Sequence, residues 1–81
     1  MSLLTTYIQH ALRRAVIERI EDGTYVGEVP GLQGVLANAP TPEECRTELA
    51  EVIEGWVLVR IASGLDIPAI DGVTVVASPA R

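Results

Sequence analysis

The sequence has no Phe and no Lys, and only one Trp, one Met, one His and one Cys among its 81 residues. Each shortage excludes something. A lone Cys45 permits neither an intrachain disulfide nor a thiolate metal cluster, and such usage fits a reducing compartment. A lone His10 provides no pair of imidazoles, and nothing sets a base beside the thiol, so nucleophilic catalysis lacks its partner. Cys45 reads instead as a small core hydrophobe. Basic residues are also scarce. Six Arg against 11 Asp plus Glu give a formal charge of -5, the wrong sign for a chain whose main ligand is nucleic acid, because phosphate contacts demand Lys and Arg. No apolar run approaches the ~18 residues of a membrane span, and no basic segment leads into an apolar run and a cleavage site at the N-terminus. The expectation is a cytoplasmic chain without membrane contact. Carboxylates do not alternate as in a calcium loop, and no helix follows Gly31-Leu32-Gln33-Gly34 directly, as a phosphate loop would require. The sequence therefore assigns no catalytic residue, no metal ligand and no cofactor.

What is present is aliphatic. Hydrophobic residues make up 48%, enough for a packed globule and too many for a disordered tail. Residues 1–81 form one domain near the size at which a single core is marginal, so self-association would add stability. The strongest signals lie between Thr41 and Gly64. Thr41 caps a helix, Pro42 suits its first position, Glu44 sits three residues after the cap, and Gly64 supplies a left-handed residue past the end. An apolar arc of Cys45, Leu49, Val52, Ile53, Trp56, Val57, Val59 and Ile61 covers about half of the helix circumference, wider than the usual core stripe. The opposite side gathers Glu44, Glu48, Glu51 and Glu54, with Leu58 among them.

Before that helix, Leu4, Ile8, Ala11 and Leu12 keep helical spacing, which predicts a short amphipathic helix at about 4–14. From Ala15 the residues turn β-rich. Asp22-Gly23 between two extended runs is a hairpin signal, and a two-residue loop there would pair Ile20 with Tyr25, Glu18 with Gly27 and Val16 with Val29. That register sets Val16, Ile20, Tyr25 and Val29 on one face and Ile17, Arg19 and Val26 on the other. Both faces are then expected to be covered, one by the long helix and the other by the N-terminal helix or a second chain. Val35 to Ala39 reads as a third strand. Asp66, Pro68 and Asp71-Gly72 mark a loop, Val73 to Val76 reads as a fourth strand, and 77–81 as a frayed end. The plan is α+β in the order α-β-β-β-α-β, with a β-β-β-α-β unit over about 15–76 and an antiparallel three-stranded core.

Several segments together resemble the HicB-like family, the antitoxin side of a type II toxin–antitoxin pair. Tyr25-Val26-Gly27-Glu28-Val29-Pro30-Gly31-Leu32-Gln33-Gly34-Val35 is similar to the family's strand-and-turn pattern. Thr41-Pro42-Glu43-Glu44-Cys45 resembles its helix opening. Glu54-Gly55-Trp56 and Gly64-Leu65-Asp66-Ile67-Pro68 resemble the helix end and exit, and Tyr7-Ile8-Gln9 with Ala11-Leu12 a subgroup with an added N-terminal helix. The likeness implies a partly degraded RNase-H-like fold without nuclease activity, which assembles as dimers or higher oligomers. It also implies a partner: a small basic mRNA interferase of the HicA type, whose catalytic His the antitoxin masks. Gln33 stands where the family usually has Pro. Many members continue into a DNA-binding module, whereas this chain stops soon after the last predicted strand, so no direct DNA binding is expected of it.

Two readings follow. In the first, an acidic interaction domain binds a basic toxin through Glu44, Glu48 and Glu51 on the helix and Tyr25 and Glu28 on the motif strand; Tyr25 equally suits cross-strand packing. In the second, a solitary homo-oligomeric module, dimer or tetramer, covers its broad apolar arc with another copy, Trp56 and Ile61 marking the interface. A hydrolase is the reading with least support.

Overall fold

The computed structural model describes residues 3–75. Along it the chain runs through α1 (Leu3–Arg13), β1 (Val16–Arg19), β2 (Tyr25–Glu28), β3 (Leu36–Ala39) and α2 (Pro42–Ala62). The strands form an antiparallel sheet in the order β1-β2-β3. Two helices and a three-stranded antiparallel sheet make this a small α+β fold.

Both ends of α2 are fixed as the sequence predicts. The Glu44 backbone N–H donates to Thr41 Oγ1 at 3.1 Å, with Pro42 following the cap. At the other end Gly64 takes a φ of 71°. Its N–H donates to Ile61 O at 3.1 Å and the Leu65 N–H to Arg60 O at 2.8 Å, the paired bonds that close a helix through a left-handed residue. Cys45, Leu49, Ile53 and Val57 are fully buried along the side that meets the sheet.

Small residues on the sheet allow that approach. Gly27, Ala37 and Ala39 are buried on the face toward α2. A Cβ added at Gly27 would lie 3.0 Å from Cys45 Sγ and 3.3 Å from Leu49 Cδ2. The helix therefore rests nearly on the β2 backbone.

The breadth of the apolar arc is answered by α1, which packs on α2 and on none of the strands. Tyr7 and Ala11 are buried in that contact, with Leu4, Ile8 and Leu12 half-buried around them. Arg46 donates to Leu12 O at 3.2 Å and ties the end of α1 to the second turn of α2.

The hairpin departs from the expected register by one residue. Val16 pairs with Glu28, Ile17 with Gly27, Glu18 with Val26 and Arg19 with Tyr25. The loop holds three residues rather than two: Ile20 N–H donates to Thr24 O and Gly23 N–H to Ile20 O, both at 2.9 Å, with Gly23 at a φ of 88°. A turn closed by a left-handed Gly is the usual three-residue hairpin. Asp22 stabilises it by accepting from the Thr24 N–H at 2.8 Å and the Thr24 hydroxyl at 2.6 Å.

A slip of one residue exchanges the faces. Ile17, Arg19, Tyr25 and Gly27 lie toward α2, and Val16, Glu18, Val26 and Glu28 point away. The expected cover over this second face is absent among the described residues, where Val16, Ile20 and Leu36 are exposed.

The two-residue turn occurs instead at Asp71-Gly72. Both residues have positive φ, 53° and 78°, and Ile70 and Val73 exchange both backbone hydrogen bonds at 2.8 Å, as a type I′ turn requires. This isolated bridge replaces the fourth strand expected at Val73 to Val76 as far as Val75; Val76 and the frayed end expected at 77–81 lie outside the described residues. Ile67 and Ile70 are buried in the common core.

Candidate interaction surface

The first half of α2 turns its outer face to solvent. There Glu43, Glu44, Thr47, Glu48 and Glu51, with Ala39 and Pro40 leading into the helix, line a shallow open groove of about 410 Å³. Thr47 Oγ1 donates back to Glu43 O at 3.1 Å, and the surface lining the groove is more apolar than polar, which gives it an apolar floor. All four glutamates are exposed. Among the described residues no cation pairs with any of them. For Glu43 and Glu44, in the first turn, the positive helix end offsets part of their mutual repulsion. The result is a fixed row of unneutralised negative charge above a partly apolar groove.

The sequence-based candidates divide around this row. Glu44, Glu48 and Glu51 are brought together by it. Tyr25 is half-buried on the face of β2 that meets α2, where it packs against the core, while Glu28 is exposed on the opposite face between Val16 and Leu36. Residues three apart on a strand point opposite ways, so these two do not share a surface with each other.

Trp56 and Ile61 serve contacts within the chain. The Trp56 indole N–H donates to Gln33 O at 3.1 Å, and the Arg60 guanidinium lies 4.8 Å above its ring centre. Arg60 Nε donates to Asp66 O at 2.7 Å. Half-buried Ile61 lines a hollow with Leu65, Asp66 and Thr74.

Cys45 is fully buried with its Sγ 3.8 Å from Ala37 O. Burial pushes its thiol pKa up, and the nearby Glu48 charge adds to that, so the reactive thiolate is disfavoured. Among the described residues, no group of three or more His, Cys, Asp or Glu side chains is disposed to hold a metal ion, and no helix is long and apolar enough to cross a membrane.

One polar cluster escaped the sequence reading. Asp71 accepts from Arg14 Nε at 2.9 Å and lies 3.1 Å from His10 Nδ1. These hydrogen bonds, Arg14 first and His10 second, hold the Asp71 carboxyl below the usual carboxylate range. Together with the Tyr7 hydroxyl, which donates to Pro68 O at 2.6 Å, they fasten the segment after α2 to α1. Burial raises the Tyr7 pKa against a smaller opposing effect of Arg60, so this donor keeps its proton at neutral pH. Residues 57 to 61 positions apart leave no local spacing from which such a cluster could be read.

The family model of UPF0150-like proteins matches residues 6–68, which takes in most of α1, the sheet, α2 and the acidic row. The chain belongs to the UPF0150-like family. A relative with that family's name, UPF0150 protein ssr1258 of Synechocystis sp., is 46% identical over 39 residues, a stretch covering 48% of this chain and 56% of the relative. The present UPF0150-like chain thus aligns with little more than half of that protein. A crystal structure of TTHA0281 from Thermus thermophilus shares the fold at 34% identity with a TM-score of 0.89, over 98% of this chain and 99% of that one.

Proposed function

We propose that this UPF0150-like chain is a HicB-like, non-catalytic interaction domain with a degraded RNase-H-like plan, which binds and masks a small basic mRNA interferase of the HicA type. The observation that carries the reading is the row of Glu44, Glu48 and Glu51, exposed and unpaired beside an apolar floor. Such a row draws a basic partner by long-range attraction, and the floor retains it once water has left. The motif residues between Tyr25 and Val35 serve the fold in this reading: Gly27 admits α2, and Gln33 receives Trp56. Glu28, on the far side of the sheet, is not part of the contact.

The test is co-expression with any small basic protein encoded beside this gene, followed by titration of the purified pair. Toxicity should be relieved and a complex should form whose association slows steeply with added salt. Changing Glu44, Glu48 and Glu51 together to Gln should weaken it by about tenfold or more. Unchanged affinity in the triple variant would refute the surface, and failure of the neighbouring protein to bind would refute the partner.

A further inference from the structure

The sheet runs β1-β2-β3, so among the described residues β3 has a ladder partner on one side only. Sheet edges are commonly guarded by charge or proline within the strand. β1 carries Glu18 and Arg19 in that way, whereas Leu36-Ala37-Asn38-Ala39 contains neither. The ladder also fixes which backbone groups of β3 are free. Ile20 N–H donates to Thr24 O, and hydrogen-bonded pairs alternate along an antiparallel ladder, so Tyr25 and Gly27 bond toward β3 and meet Ala39 and Ala37 there. The N–H and C=O groups of Leu36 and Asn38 therefore face outward from the sheet.

The helix flank above that edge is acidic. α2 lies chiefly over β3. Only Arg14 and Ala15 join α1 to β1, so α1 takes the flank of α2 on the β1 side, where Arg46 donates to Leu12 O. Glu44 and Glu48 lie about half a turn around the axis from Arg46, on the flank toward β3, and they line one groove with Ala39 and Pro40. An extended chain laid beside β3 would run below these carboxylates with every second side chain turned toward them.

We propose that β3 accepts an extended segment of a basic partner as a fourth strand. Arg or Lys at alternate positions would face Glu44 and Glu48, and apolar residues between them would lie beside Leu36, which is exposed. The alternation follows from the pleat: Ala37 and Ala39 turn toward α2, Leu36 and Asn38 turn away, and an added strand continues both faces. Main-chain hydrogen bonds supply the attachment, and the alternating side chains select the segment. A second copy of this chain does not suit the edge, because antiparallel pairing of two β3 strands would bring both acidic flanks together above one side of the joined sheet. The inference rests on the reading of the acidic row as a docking surface for a basic partner, and it adds the form in which that partner arrives.

The probe is a capped peptide of alternating Arg and Val, about eight residues long, titrated by fluorescence anisotropy against the 81-residue chain. Two further versions carry N-methyl groups, one at the Arg positions and one at the Val positions. Each blocks one edge of the peptide and leaves its charge unchanged. Only one edge of an added strand meets β3, so one version should bind as the unmethylated peptide does and the other should bind about tenfold more weakly or worse. Leu36→Pro removes an outward N–H at the first residue of an edge strand, where proline is tolerated, and should weaken the unmethylated peptide. The methylated pair needs no altered protein and decides the matter even where Leu36→Pro unfolds. Equal affinity of the two methylated versions overturns the proposal, since charge alone would then hold the peptide, and so does an unmethylated peptide that fails to bind. If a neighbouring basic protein is captured while the methylated versions bind equally, strand addition fails and the acidic-row reading stands; if the versions differ and no such protein is captured, the edge stands and the toxin fails.

Discussion

Gly27 shows how one residue sets the distance between layers. Its missing side chain is the space into which Cys45 and Leu49 fit, so Gly27→Val should overpack the helix–sheet junction and cost about 1–3 kcal/mol in urea denaturation. Equal stability of the two proteins would mean that α2 shifts freely over β2. Cys45, on the other side of that contact, is inert for two physical reasons: no solvent reaches it, and burial with a neighbouring glutamate disfavours the thiolate. A thiol reagent should label it only as fast as the protein opens, so labelling should accelerate in step with added denaturant. Rapid stoichiometric labelling under native conditions would contradict this placement.

At the scale of elements, α2 combines two surfaces of opposite character on one cylinder. Its inner side holds the core, and its outer side is acidic in the first turns and apolar in the last. The first turn depends on its cap: Thr41→Ala removes the acceptor of the Glu44 N–H and should lower stability by about 1 kcal/mol, read as a shift of the denaturation midpoint without a change in slope. The hairpin presents a second case. Its Asp-Gly pair suggested a two-residue loop, but Asp22 bonds forward to Thr24 and Gly23 alone takes positive φ. Asp71-Gly72, composed of the same two residues, makes the tighter turn because Ile70 and Val73 are near enough to pair. The dipeptide sets a preference, and the flanking chain decides between loop lengths.

For the whole molecule, the question is how the segment after α2 is held. Tyr7 and His10 on α1, with Arg14 just past its end, grip Pro68 and Asp71, so the segment after α2 is held to the start of the fold. Because the folded-state pKa of Asp71 is depressed, its stabilising effect is complete above the ordinary carboxylate value and disappears as pH falls through the lowered one. Asp71→Asn should therefore melt at a lower temperature than the parent near neutral pH, and the gap should close in acid. A gap that persists at the lowest pH would assign the effect to the turn conformation rather than to the charge.

The sequence by itself determined the elements that depend on near neighbours. The extent of α2, its cap and Gly64 exit, the brief α1, the position of β3 and the burial of Cys45 all follow from spacings of three and four or from residues adjacent in the chain. It also brought Glu44, Glu48 and Glu51 to one side, since helical periodicity is local. Tertiary structure decided what required a distant partner. Which face of the sheet meets α2 was settled by packing: Gly27 and Ala37 admit the helix where Val26 and Glu28 would not, and the observed register brings Ile17 of β1 beside Gly27. α1 went to the flank of α2 instead of the open sheet face, Trp56 was drawn inward by Gln33, and Asp71 was matched with Arg14 across fifty-seven positions. Pattern along a chain shows that an apolar side must be covered; only packing in three dimensions selects what covers it, because several surfaces of similar hydrophobicity compete and shape decides among them.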